Sequence, residues 1–175
     1  GIQLVEIADL GKGNFSETFP DDTFDAIVFA EIIEHITFNP LDMWQLLFSM
    51  VRENGYLFVT TPNSLSLRGT LRGIWNIVSR TGQGLPFKEI FSNVTYGHHW
   101  KEYSRKELIE YFYYLGVPKK NISVEYVSYA EKEKTIRSTV KLLFEFLTPF
   151  RSVLFCILKI SNPKPVVPSG PVYLG

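Results

Sequence analysis

Several things are scarce in this chain of 175 residues, and each scarcity excludes a class of protein. A single cysteine, Cys156, rules out an internal disulfide framework. Set in the apolar run VLFCILKI, it is expected to be a buried thiol in a reducing compartment. Net charge is absent too: 18 basic and 18 acidic residues cancel, so nothing calls for nucleic acid as an obligatory partner. No apolar stretch reaches the roughly 20 residues that a bilayer span needs. Neither a secretory leader nor an internal repeat is visible, and the expectation is a cytoplasmic protein. What the chain does have is 45% apolar residues, enough for one α/β domain with its own core over residues 1–161.

The chain is organised around Phe19 to Ile36, FPDDTFDAIVFAEIIEHI. Pro20, Asp21 and Asp22 form a turn. Phe24 to Ala30 is almost free of polar groups, the pattern of a central parallel strand buried on both faces. At its carboxyl end the pattern switches abruptly to Glu31, Glu34 and His35. Ligands of open α/β sheets sit at such strand ends, which makes these three candidate site residues. If a helix begins at Glu31, positions i, i+3 and i+4 place all three on one face. Two carboxylates and an imidazole suit a hard or borderline divalent cation. His99, or its neighbour His98, is the candidate further ligand.

Asn39-Pro40 opens a helix, with Asn39 as cap and a buried stripe of Leu41, Trp44, Phe48 and Val51 that Asn54-Gly55 ends. Tyr56 to Thr60 is the next strand, which Pro62 stops and which leaves Asn63 facing the substrate. Residues 64–98 exceed a plain connection. Leu65, Leu67, Leu71, Ile74, Trp75 and Val78 alternate with Arg68, Arg72 and Arg80. Two readings stand: a lid-like insertion that touches a lipid or acidic substrate, with peripheral membrane contact, or a helix packed on the domain with solvated arginines. Ser104 and Glu107 form a capping box before a helix with a Leu108, Phe112, Leu115 face that Gly116 ends. Ile122 to Tyr129 reads as a strand, 136–147 as an amphipathic helix stopped at Pro149, Ser152 to Ile160 as a last strand, and 162–175 as a flexible tail.

FPDDTFDAIVFAEIIEHI, ENGYLFVTTPN at 53–63 and HWKEYSRKEL at 99–108, in that order, resemble the later half of a class I S-adenosylmethionine-dependent methyltransferase over about residues 5 to 160. The resemblance implies a Rossmann-like, mostly parallel sheet with helices on both faces and an antiparallel strand near the C-terminus. That family's opening strand, glycine-rich turn and ribose-holding acidic residue are not found; Gly11-Lys12-Gly13 lies too close to Asp25 to be that turn. The N-terminal strands are therefore expected to be missing, by truncation or degeneration.

By resemblance, S-adenosyl-L-methionine is the cofactor, with Asp9, Leu10 and Glu31 as its contacts. Asp9, at the end of Ile2 to Ala8, would take the adenine amino group. Glu-x-x-Glu-His followed by a distant histidine is also similar to the metal-dependent small-RNA 3′-terminal and quinone-precursor O-methyltransferases. That likeness implies Glu31, Glu34, His35 and His99 as ligands of a divalent metal. As general base for a hydroxyl acceptor, His99 is the first candidate and His35 the second, because imidazole titrates near neutral pH. His98 and Asn63 are the substrate candidates. The expected activity is O-methylation of a small-molecule or lipid- or sugar-linked acceptor. The alternative is a truncated or degenerate binding module without activity.

Overall fold

The computed structural model describes residues 21–80, 98–128 and 148–168. Four strands and three α-helices lie among these residues. The strands are β1 (Phe24–Ala30), β2 (Val51–Pro62), β3 (Ile122–Val127) and β4 (Val153–Lys159), and the helices are α1 (Leu41–Met50), α2 (Leu67–Val78) and α3 (Arg105–Tyr114). The sheet order is β1-β2-β4-β3. β1 pairs parallel to β2, whereas β4 pairs antiparallel to both β2 and β3. Three strands thus run one way and the last opposes them, as the resemblance implies.

α1 and α3 share one face of this sheet. Alternation along β2 sends Leu57, Val59 and Thr61 to that face, opposite Leu158, Cys156 and Leu154 of β4. Trp44 of α1 fills the space above, with its ring 5.3 Å from Phe29 and 5.2 Å from Phe112 of α3. Its indole N–H donates to the Tyr111 hydroxyl at 2.6 Å, so the buried ring keeps no orphaned donor. Cys156 is a buried thiol as expected, pushed up to about 12 by burial alone. The other face carries a ladder of Tyr56, Phe58 and Phe155, stacked 6.1 and 5.9 Å apart. The amphipathic stripe at 136–147, like the strand expected at Ile2 to Ala8, lies outside the described residues.

Local signals and tertiary placement diverge at several points. β1 is not buried on both faces. Among the described residues it is the sheet's edge, Phe29 is its one buried member, and Val28 is 69% exposed, because only β2 flanks it. Asn39 does not itself start α1, but its Oδ1 still accepts from the Leu41 N–H at 3.2 Å, and Pro40 takes the cap position. α1 ends at Met50 rather than at Asn54-Gly55, and the strand runs straight on. Those two residues lie in the stretch 52–55, opposite Asp25, where the β1–β2 register slips, with Asn54 left-handed at φ +62°. A Cβ on Gly55 would meet the Asp25 carbonyl at 2.7 Å, which is why this position takes glycine. The ladder with β4 continues through Pro62, paired with Val153, instead of stopping before it.

The capping box forms as read: Ser104 Oγ accepts from the Glu107 N–H, and Glu107 returns a bond to the Ser104 N–H. Gly116, at φ +89°, closes the helix, and a side chain there would strike the Val166 carbonyl at 2.7 Å. Part of the expected flexible tail is consequently packed. Lys164 reaches Asp22 at 2.8 Å and the Ser49 carbonyl at 2.6 Å, and the Val167 N–H donates to Gln45. Residues 169–175 lie outside the described residues.

Candidate functional site

The rim where β1 and β2 end is assembled from three segments. β1 stops because Glu31 turns left-handed, at φ +53°, a conformation that costs a residue with a Cβ. Its N–H still donates to the Thr60 carbonyl at 3.0 Å and Thr60 Oγ1 at 3.2 Å. One 3-10 turn, Ile33–His35, follows. No α-helix begins at Glu31, so a shared helical face is not what gathers these residues.

A docked loop gathers them instead. The Glu34 carbonyl accepts from the Trp100 N–H at 2.8 Å and the Lys101 N–H at 3.4 Å, and His35 Nδ1 meets the His98 carbonyl at 2.9 Å. A carbonyl can only accept, so Nδ1 carries a proton and Nε2 is the atom left toward Glu34 Oε1, 3.9 Å away. The His99 ring lies edge-on to His35, centroids 4.8 Å apart. One ligand atom from each of Glu34, His35 and His99 falls within 4.8 Å of the others, while Glu31 stands outside that trio.

Glu34 is fully buried, with Oε2 accepting from Thr61 Oγ1 at 3.0 Å and Oε1 without a hydrogen-bond partner among the described residues. Burial raises its carboxyl above the usual 4.5; its backbone and Thr61 bonds oppose that, and the Glu31 charge adds to it. His98 is buried with Nδ1 also orphaned, its ring against Trp100 at 5.6 Å. His99 is more open, with Nδ1 3.5 Å from Glu102 Oε1. The Tyr103 phenol is pushed up to about 12, first by burial and then by Glu107 and Glu34.

Asn63, expected to face the substrate, is instead a lock. It is 1% exposed; its Nδ2 donates to the Pro149 and Arg151 carbonyls at 2.9 and 2.8 Å, and its Oδ1 accepts from the Leu65 N–H at 3.1 Å. Asp9 and Leu10 lie outside the described residues. Sequence reasoning missed Thr61 and Glu102. Both had a signal, since Thr61 closes the strand beside Glu34 and Glu102 follows His99 by three residues.

A family model described as a methyltransferase domain matches residues 3–116. The chain belongs to the class I S-adenosylmethionine-dependent methyltransferases. Among solved structures, this methyltransferase chain is similar to three further proteins. One is a complex between the Haloferax volcanii Trm112 methyltransferase activator and a putative methyltransferase (10% identity, 87% of this chain and 59% of that one, TM-score 0.53). Another is an S-adenosylmethionine-dependent methyltransferase from Mesorhizobium loti (11%, 88% and 68%, 0.50). The third is a SAM-dependent methyltransferase from Archaeoglobus fulgidus (16%, 83% and 63%, 0.47). At these identities the first two speak for the fold alone. The methyltransferase chain spans less than two thirds of the length of the Haloferax and Archaeoglobus structures, 59% and 63%. No curated protein matches it.

Whether the described residues suit the family's cofactor can be tested at Glu31. Its Oε1 is buried and has no partner among the described residues, an acceptor to spare at the strand tip. A ligand with hydroxyls and an ammonium, such as S-adenosylmethionine, matches that acceptor.

Proposed function

We propose that this chain transfers the methyl group of S-adenosylmethionine to a hydroxyl of a small-molecule or lipid- or sugar-linked acceptor. One observation carries the reading: Glu34, His35 and His99 converge where two strands end, beside Glu31, whose Oε1 has no partner among the described residues. When bound, the cofactor supplies a methyl group on a sulfonium. The rim residues then orient the acceptor and take its proton. His99 is the base, because it is the more open ring and Glu102 beside Nδ1 favours a proton there, leaving Nε2 to accept. His35, its Nδ1 committed to the His98 carbonyl, packs against His99 and positions it. Glu31 holds the cofactor, with Asp9 and Leu10, and His98 lines the acceptor side.

His99→Ala should lower turnover roughly a hundredfold to ten-thousandfold, the usual share of a general base, and leave S-adenosylhomocysteine affinity unchanged. Turnover equal to the parent's removes His99 from the reaction. Calorimetric titration with S-adenosylhomocysteine separates the enzyme from a binding module without activity: micromolar binding supports the first, and no heat from a folded sample the second.

The trio itself favours a second reading. A divalent cation held by Glu34, His35 and His99 would place positive charge beside the acceptor oxygen, and the orphaned Glu34 Oε1 suits such a ligand. Activity lost to a chelator and restored by magnesium or manganese supports the ion, and activity indifferent to a chelator supports His99 alone.

A further inference from the structure

Helix α2 differs from the other two helices in that none of its residues is buried. At about 100° per residue, Leu67, Leu71, Ile74 and Val78 fall in one narrow strip, with Trp75 at one margin and Ile77 at the other. Trp75 is 67% exposed and Ile77 72%. Arg68 and Arg72 lie just beyond the Trp75 margin, Arg80 follows the end of the helix, and all three are exposed. From Asn63 to Lys88 the sequence contains no acidic residue at all.

We propose that α2 docks flat on an anionic lipid bilayer. Charge selects this occupant. Guanidinium groups bordering an apolar strip, with no carboxylate in the segment, complement a plane of phosphates above acyl chains. An indole at the margin suits the boundary between the two, with its ring in the apolar layer and its N–H in the wet one. Twelve residues make a helix about 18 Å long, too short to cross a bilayer, so it lies in the plane. The helix also leaves the site's own rim. Its cap residue Ser66 donates its N–H to the Asn63 carbonyl at 2.9 Å, and Ser66 Oγ accepts from the Gly69 N–H. The docking surface is therefore tethered to the strand end beside Thr61 and Glu34. The proposal itself stands whether or not methyl transfer does.

The test is sedimentation of the full chain with vesicles of phosphatidylcholine alone and of phosphatidylcholine with about one third phosphatidylglycerol at low salt. Binding to the anionic vesicles only is expected, with release as salt rises. Arg68→Gln with Arg72→Gln should weaken partitioning roughly 30-fold, the effect of two cations near an anionic surface. Ile74→Ser with Ile77→Ser should abolish it, at an unchanged melting temperature, since both side chains are exposed. Failure to bind, equal binding to both vesicle types, or arginine and isoleucine variants that bind like the parent would overturn the proposal. So would a dimer that Ile77→Ser dissociates, because the apolar strip would then belong to a second copy of the chain.

Discussion

Helices α1 and α2 carry nearly the same number of large apolar side chains, yet one is the centre of the core and the other is bare. In α1, Trp44 and Phe48 are fully buried, with Phe29 below and Phe112 alongside. In α2, Trp75 and Ile77 stand in solvent. The distinction is geometric: the face made by Leu57, Val59 and Cys156 is already covered by α1 and α3, whereas α2 sets off from the rim rather than across the sheet. Apolar content tells how much surface a helix could bury, and topology tells whether anything is there to receive it. The rim repeats the contrast among polar groups. Asn63 and Glu34 are both buried, but the Asn63 side chain has three bonds, and Glu34 keeps one oxygen without a partner among the described residues.

Substitutions can break this contrast or sharpen it. Trp44→Ala should cost the most, about 3–5 kcal/mol in urea unfolding, since it empties a filled site. A cost below about 1 kcal/mol would show that α1 is no better seated than α2. Asn63→Ala should cost about 1–3 kcal/mol, because the Pro149 and Arg151 carbonyls lose their donor. Trp75→Ser should stay within about 0.5 kcal/mol, and a larger loss would mean that α2 is covered in solution.

Glu34→Gln should move the other way. Burial raises the Glu34 carboxyl above 4.5, so the unfolded chain ionises first as pH climbs. The stability this group contributes is complete below the unfolded value and is lost as pH rises through the folded one. The variant should therefore exceed the parent in urea midpoint at about pH 7 and match it at about pH 4. A parent that is the more stable at neutral pH would mean that Glu34 holds a favourable charge.

Much of the architecture was legible in local pattern. The apolar runs of β2 and β4, the apolar stripe of α1 and the Ser104–Glu107 box each report a strand, a period or a cap that the backbone realises directly. Of the four residues that the pattern groups, Glu34, His35 and His99 do meet, and Glu31 stands apart. The route by which those three meet was not legible. A left-handed Glu31 replaces the helical turn, and the grouping depends on two amide hydrogens of a loop more than sixty residues away reaching the Glu34 carbonyl. Nothing in Trp100 or Lys101 as residue types announces that. Asn63 misled for a related reason: a polar residue at a strand end looks the same in sequence whether it turns to a ligand or to its own backbone. β1 misled because an unbroken apolar run reports only that burial would be favourable.

The strand order has a consequence for how the protein is made. β4, the last strand of the described sheet to leave the ribosome, lies between β2 and β3 and supplies hydrogen bonds to both. Until residue 159 has emerged, β2 has an open flank and β3 no neighbour among the described strands, so the nascent chain must keep sticky backbone out of reach of other chains. Synthesis that stalls anywhere between Val127 and Val153 would leave a half-sheet that no amount of waiting can close.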